Sequence, residues 1–305
     1  MKASLLSAIA LSIFAIQNIA LAESVKDIAS EVQSQGWFKT CNNALPRLAN
    51  IKEPLPDSPD WKIYIKIKAG CLSELRRDAE AIIYLDNKFS GGKLDSEIKE
   101  YLATSHIRLG SYDKATKILE SSLIGATQSR LPEIYSKLAL SYSQQAAQFA
   151  PSAKFARVKL LEKAESSVSK AIELGNPAPP HFYTQLGQIQ TFKGDFVAAE
   201  NTLNRALRLN ESYEWEKPGL KPIMDAEILM AKSQVRRMLG DEKSATYLAQ
   251  EAIQTSPTES LKIVMKQIHE ASQKPSTALE RKSQQAASDK SNVLNQIYIP
   301  LDEEI

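Results

Sequence analysis

One arrangement of glycine, small and apolar residues recurs along the chain. A Gly is followed by a small residue five positions later, an apolar residue nine positions later and a small or apolar residue twelve positions later. Four copies begin at Gly36, Gly110, Gly194 and Gly240. The three later positions share one face of a helix, and Gly readily adopts the left-handed conformation that ends a preceding helix. The pattern therefore predicts consecutive pairs of helices, each joined by a turn at the Gly.

Residues typical of a first helix precede two of these turns. They are Tyr183, Leu186 and Gly187 before Gly194, and Leu102, Ala103 and His106 before Gly110. Together with the residues after each turn, they resemble the tetratricopeptide repeat, an antiparallel pair of helices about 34 residues long. Residues 180–213 are the best copy, although Gln190 stands where the repeat has an aromatic residue and Glu211 where it has Pro.

The other copies depart further from the repeat. Residues 132–177 match it with an insertion of 13 residues, which predicts that both helices are lengthened. Residues 62–95 match loosely, with Arg76 in place of the turn Gly. In the last copy Lys232 and Arg236 stand where apolar residues belong, so the register of that copy stays open.

The resemblance covers residues 23–257 and implies an all-α fold. It predicts a right-handed α-solenoid of antiparallel helix pairs, with about five to six repeat-like units, some of them degenerate. An amphipathic stretch at 258–272 predicts a further helix that caps the open end of the stack. An irregular all-α bundle of helix pairs has the same periodicity and is the alternative fold.

Both ends of the chain differ from this pattern. Residues 1–22 have a basic Lys2, an apolar stretch and the small residues Ala20 and Ala22, which together are typical of a cleaved signal peptide. A membrane anchor that stays attached is the alternative. Residues 23–272 are then the solenoid with its capping helix, and residues 273–305 are predicted to be a flexible C-terminal tail. The predicted location is the periplasm or the exterior, without stable membrane insertion.

Composition and charge exclude several functions. Lys and Arg number 38 against 36 Asp and Glu, so nothing indicates nucleic acid as a partner. The three histidines lack metal-ligand spacing, and His106 falls at a repeat position that packs in the core. Gly91, Gly92 and Lys93 lack the remainder of a phosphate-binding loop. We therefore predict no enzymatic activity, no cofactor and no metal, while composition leaves the oligomeric state open.

The resemblance also implies a binding surface. In tetratricopeptide-repeat proteins, the first helices of successive units line a groove that binds peptides or partner domains. The matching positions here are Lys66, Ile67, Glu100, Tyr101, Thr104, Arg108, Lys137, Leu140, Gln185, Gln188 and Phe192. The Lys and Asn residues with which the family clamps a terminal carboxylate are absent. The alternative for each position is an ordinary solvated helix face.

The repeat register also places the two cysteines. Cys41 falls at a close-packed position of the first unit's second helix, and Cys71 falls on the first helix of the second unit. Since these helices are expected to be neighbours, the resemblance implies a Cys41–Cys71 disulfide, which an oxidising compartment would allow. Two buried free thiols are the alternative.

These features predict a non-enzymatic scaffold or adaptor of the bacterial cell envelope, which binds another envelope protein or peptide through the groove. Two alternatives remain open. The protein could bind a small ligand, such as a cell-wall or polysaccharide fragment. It could also act as an assembly factor through its C-terminal tail, where the apolar segment 297–305 would serve as a docking motif.

Overall fold

The computed structural model describes residues 24–56, 58–90, 94–150, 152–215 and 219–273. These residues form thirteen helices and no strand, and none of the helices is both long and apolar enough to cross a bilayer. The predicted signal peptide, residues 91–93 and the predicted C-terminal tail beyond Gln273, including the segment 297–305, lie outside the described residues. Two compact units divide the chain after Leu75, and each is described by itself.

The described residues of the first unit form three helices. They are α1 (Val25–Gln35), α2 (Trp37–Ala49) and α3 (Pro59–Glu74). Ser24 and Asp27 form a capping box at the start of α1. Close packing occurs where the ring of Trp37 lies against Gly70, because a Cβ added to Gly70 would come within 2.2 Å of that ring. A glycine at this position thus lets α2 and α3 approach each other.

The two cysteines meet inside this unit. Cys41 on α2 and Cys71 on α3 are both fully buried. Their sulfur atoms lie 2.12 Å apart and their Cα atoms 5.0 Å apart, a Cα separation within the range that disulfides adopt. The pair is therefore compatible with the predicted disulfide.

The second unit contains ten helices among its described residues. They are α4 (Asp78–Ser90), α5 (Ser96–Arg108), α6 (Tyr112–Ser122), α7 (Leu131–Gln148), α8 (Lys154–Leu174), α9 (Pro180–Lys193), α10 (Phe196–Ser212), α11 (Leu220–Met238), α12 (Glu242–Thr255) and α13 (Glu259–Gln273). From α5 onward the helices form the pairs α5–α6, α7–α8, α9–α10 and α11–α12, and each pair packs against the next. This is the predicted all-α stack of helix pairs.

Small residues hold the two helices of each pair close together. In the repeat register the paired positions are Ala103 and Ala115, Ala139 and Ala164, Gly187 and Ala199, and Ser233 and Ala245, and all eight residues are buried. In the best copy, a Cβ added to Gly187 would lie 2.6 Å from Cγ of Leu203. In the last copy, the hydroxyl of Ser233 donates a hydrogen bond of 2.6 Å to the carbonyl of Ala245.

The contact between Ser233 and Ala245 settles the register of the last repeat. Ser233 occupies in α11 the position that Gly187 occupies in α9, seven residues before the turn Gly. The two unexpected cations are accommodated by partial burial and by pairing. Arg236 forms an ion pair with Glu200 of α10, and Lys232 is half-buried on the same side of the helix.

A left-handed residue joins the two helices at each regular turn. Gly110, Gly194 and Gly240 have φ angles of 73°, 88° and 81°. Arg76, which stands where the loosely matching copy lacks its Gly, also has a positive φ of 55°. The turn conformation is thus kept without the glycine that favours it.

The insertion lengthens one helix pair, as predicted. Helices α7 and α8 have 18 and 21 residues, whereas α5 and α6 have 13 and 11. The predicted capping helix is α13, which packs against α11 and α12 and buries Leu261, Met265 and Ile268.

Candidate functional site

The candidate site is the surface lined by the first helices of the second unit, α5, α7, α9 and α11. Adjacent members of this set contact each other. We call this surface the first-helix face. Its side chains are those of Glu97, Glu100, Tyr101, Thr104, Arg108, Glu133, Ser136, Lys137, Leu140, His181, Gln185, Gln188, Phe192 and Glu227.

A buried carboxylate ties α5 to α7. The side chain of Glu100 is only 2% exposed. Arg130, just before α7, donates from Nε to its Oε1 at 2.8 Å, and Lys137 donates from Nζ to its Oε2 at 3.2 Å. Arg130 also pairs with Glu97 at 3.3 Å. Glu100 was predicted to face a partner, but in the structure its carboxylate forms ion pairs that connect two neighbouring repeats.

A pair of reciprocal hydrogen bonds ties α7 to α9. The hydroxyl of Ser136 donates to Oε1 of Gln185 at 3.0 Å, and Nε2 of Gln185 donates to the carbonyl of Ser136, also at 3.0 Å. On the same two helices, His181 Nε2 lies 3.5 Å from Glu133 Oε1. Gln185 thus contributes to the frame of the face, and sequence reasoning missed its partner Ser136.

Two further predicted groove residues also have internal contacts. Thr104 is buried and donates to the carbonyl of Glu100 at 2.8 Å. The Nη1 of Arg108 lies 3.3 Å from Oδ1 of Asp78 on α4.

The other two predicted groove residues lie in the first unit. Lys66 is half-buried, whereas Ile67 is 1% exposed and packs in that unit's core. Ile67 therefore offers a partner no accessible surface in this structure.

The remaining predicted residues reach the surface. Leu140 and Gln188 are half-buried, and Phe192 is 37% exposed. Tyr101 is half-buried, and burial, followed by the nearby carboxylate of Glu97, raises its pKa above the ordinary value. These four residues combine two aromatic rings, one aliphatic side chain and one amide.

Glu227 on α11 was missed because the register of the last repeat was open. Like Glu97 and His181, it stands thirteen residues before a turn Gly, and this spacing could have identified it. Its carboxylate is half-buried and has no ion pair or hydrogen bond within the described residues. Burial raises the pKa of Glu227 to about 8.

The raised pKa predicts how stability depends on pH. Because the folded chain retains a proton on Glu227 that the unfolded chain loses above about pH 4.5, its stability falls as pH rises toward 8. Glu227→Gln should raise the free energy of unfolding by about 1–3 kcal/mol at pH 8.5 and change it little at pH 4. Urea unfolding at both pH values measures the difference. Glu211→Gln, at an exposed carboxylate, is the control, and equal effects of Glu227→Gln at both pH values would contradict the prediction.

His106 and the acidic side chains are the residues to consider for a metal or catalytic site. No group of three or more His, Cys, Asp and Glu side chains that could hold a metal ion occurs in the part of the chain that the structure describes. His106 is 1% exposed, and its Nε2 lies 3.2 Å from Asp86 Oδ1. It is a packed core residue, as its position in the repeat predicted.

The helix pairs, their small facing residues and their left-handed turns define an all-α protein of stacked helical repeats. Solved structures share this fold. TTC0263, a thermophilic tetratricopeptide-repeat protein from Thermus thermophilus, is 19% identical with a TM-score of 0.53, and the match covers 69% of this chain and 98% of that one. A tetratricopeptide repeat protein from Parabacteroides merdae is 14% identical with a TM-score of 0.54, covering 90% and 95%.

A chain of the APC/C hetero-tetramer Cut9–Hcn1 also matches, at 15% identity and a TM-score of 0.56, over 97% of this chain and 50% of that one. No protein-family model and no curated protein matches the sequence. The fold is thus that of tetratricopeptide-repeat proteins. Likeness at 14–19% identity establishes the fold, so function is argued from the residues of this chain.

Proposed function

We propose that this protein is a non-enzymatic scaffold of the bacterial cell envelope and that it binds a partner protein or peptide on the first-helix face. The observation that carries the proposal is the set of side-chain bonds between repeats. Glu100 joins α5 to α7, and Gln185 joins α7 to α9. A surface whose side chains are already held in place loses less conformational entropy when it binds.

The accessible residues fit a protein partner. Tyr101, Leu140, Gln188 and Phe192 provide aromatic and aliphatic contact area together with an amide that can pair with a peptide backbone. Aromatic side chains supply much of the binding energy at protein interfaces. The face therefore offers the components for recognising an extended segment or a helix.

Most charged side chains of the first-helix face form ion pairs with one another or with the adjoining Arg130. Arg130 and Lys137 pair with Glu100, and His181 pairs with Glu133. A partner would therefore be selected by shape and hydrogen bonding more than by bulk charge. The envelope location rests on the features of residues 1–22, and determining the N-terminus of the exported protein tests it directly.

Site-specific photocrosslinking tests the binding face. The photoreactive amino acid p-benzoyl-phenylalanine would replace Phe192 on the first-helix face or, as the matched control, Tyr247, an aromatic residue of α12 that is 65% exposed. We expect a crosslinked product of defined mass in envelope preparations from position 192 and none from position 247. The product should disappear when Gln188→Arg is added, because the added charge and bulk lie one turn away on α9.

The other functions give different outcomes. Crosslinking that depends on the chain beyond residue 273 would assign binding to the C-terminal tail, and truncation after Gln273 tests this. Absence of any crosslinked protein, together with saturable binding of cell-wall fragments by calorimetry, would replace the proposal with small-ligand binding.

A further inference from the structure

The lengthened α7–α8 pair extends past the end of α9. We call the extending part, residues 149–150 and 152–160, the α7–α8 tip. Lys193, the last residue of α9, forms an ion pair with Glu165 of α8. Eleven residues of α8 precede Glu165, and at about 1.5 Å per residue they form roughly 16 Å of helix on the far side of this contact. The first buried residue of α8 is Leu161. The first two turns of α8 therefore project from the helix stack.

Apolar side chains are exposed on this tip. Phe155 is 83% exposed, Phe149 at the end of α7 is 44% exposed, and Val158 is 43% exposed. Leu161, Ala164 and Val168 define the buried side of α8, and a helical turn of 3.6 residues places Phe155 on the opposite side. Core packing therefore does not account for Phe155.

The segment that forms the tip carries charge of one sign along its sequence. No Asp or Glu occurs between Glu133 and Glu162, whereas Lys154, Arg157 and Lys159 all lie on the tip. The tip also carries the N-terminal end of α8, where the helix dipole favours negative charge. The chain as a whole is close to neutral, so this cationic tip is a local feature.

We propose that the α7–α8 tip binds the surface of a bilayer containing anionic lipid. Phe155, Phe149 and Val158 enter the headgroup region, while Lys154 and Lys159 contact lipid phosphates. Exposed aromatic and aliphatic residues flanked by cations have the chemistry of a peripheral membrane contact. A stable protein interface needs about 800 Å² from each partner, whereas a bilayer accepts a single projecting point.

The membrane contact and the proposed scaffold function are independent. Phe155 lies on α8, a second helix, and the first-helix face is formed by α5, α7, α9 and α11. Membrane binding through the tip would hold the scaffold at a bilayer surface. Failure of the tip test leaves crosslinking from position 192 unchanged, and failure of that crosslinking leaves vesicle binding unchanged.

Vesicle co-sedimentation of the exported full-length protein tests the proposal. Vesicles contain phosphatidylcholine alone or with about 30% phosphatidylglycerol, enough to give the surface a negative potential. We expect binding to the anionic vesicles that weakens with added salt. Phe155→Ser should weaken it by about tenfold, the loss expected for one exposed aromatic contact. Lys154→Gln with Lys159→Gln should weaken it by about thirtyfold, because two cations near the anionic surface are lost.

Matched variants control for general effects. Ile124→Ser alters a side chain that is 82% exposed elsewhere in the unit, and Lys114→Gln with Lys117→Gln removes two exposed cations of α6. These variants should bind as the parent does, and circular dichroism confirms folding of each variant.

Equal binding to both kinds of vesicle would overturn the proposal, as would anionic binding that survives Phe155→Ser. Self-association that Phe155→Ser abolishes, without vesicle binding, would assign the tip to a second copy of the chain.

Discussion

Replacing both Arg130 and Lys137 with Met is expected to lower the free energy of unfolding by about 3–5 kcal/mol. Both cations contact Glu100, whose side chain is 2% exposed, whereas those of Arg130 and Lys137 are 37% and 18% exposed. Removing the cations leaves a buried negative charge without an ionic partner, and such a charge costs more than the lost attraction alone. Methionine preserves most of the apolar length of each side chain, so the loss reports mainly on charge.

A third substitution separates this explanation from simple loss of packing. Adding Glu100→Gln to the double variant removes the buried charge, and we expect it to recover about half or more of the lost stability. Lys117→Met with Lys170→Met, at the exposed Lys117 of α6 and the half-buried Lys170 of α8, both in surface ion pairs, should change stability by less than about 0.5 kcal/mol per site. Urea unfolding at pH 7 measures all four proteins. A double variant as stable as the parent, or one that Glu100→Gln does not improve, would contradict the role assigned to Glu100.

The helix pairs could be predicted because their determinants are local. A turn Gly and the small and apolar residues at fixed distances after it specify where two helices meet, as at Gly194 and Ala199. Arg76 replaces the turn glycine in one copy, and it also lies where the spacing predicts a turn. The sequence predicted that α7 and α8 are lengthened, but it did not predict the exposed tip. The exposure of Phe155 depends on where α9 ends, which the repeat pattern does not specify.

The last repeat was harder to predict because its polar residues are accommodated by another helix. Lys232 and Arg236 conflict with an apolar pattern when α11 is considered alone. In the structure, Glu200 of α10 pairs with Arg236, and the α11–α12 contact is made by Ser233 instead. A single sequence gives no sign of this pairing, since Glu200 lies 36 residues earlier in the chain.

The positions of the first-helix face were predicted, but the burial of its side chains was not. The resemblance assigned Glu100 and Gln188 equivalent roles, yet Glu100 is buried and paired with two cations, whereas Gln188 is half-buried. Burial depends on the length and charge of side chains on neighbouring helices, which repeat positions do not encode. Glu227 shows the converse, because a known register would have placed it on the face.

Removing the pair of Cys41 and Cys71 is expected to lower the free energy of unfolding by about 3–4 kcal/mol. The two residues are 30 positions apart in sequence, and a crosslink across such a loop restricts the unfolded chain. Protein recovered after export should resist alkylation under denaturing conditions, and reduction should make both thiols reactive, as mass spectrometry would show. Urea unfolding of the Cys41→Ala, Cys71→Ala variant then measures the loss of stability.

Reduction of the parent protein supplies the matched comparison. Dithiothreitol should lower the stability of the parent to near that of the double alanine variant, and it should leave the variant unchanged. The remaining difference between the two reports the packing of the buried sulfur atoms, which act as small apolar groups in α2 and α3. Alkylation of both cysteines without reduction would show that the close approach of Cys41 and Cys71 is a packing contact between free thiols, and the stability of the first unit would then rest on its apolar core.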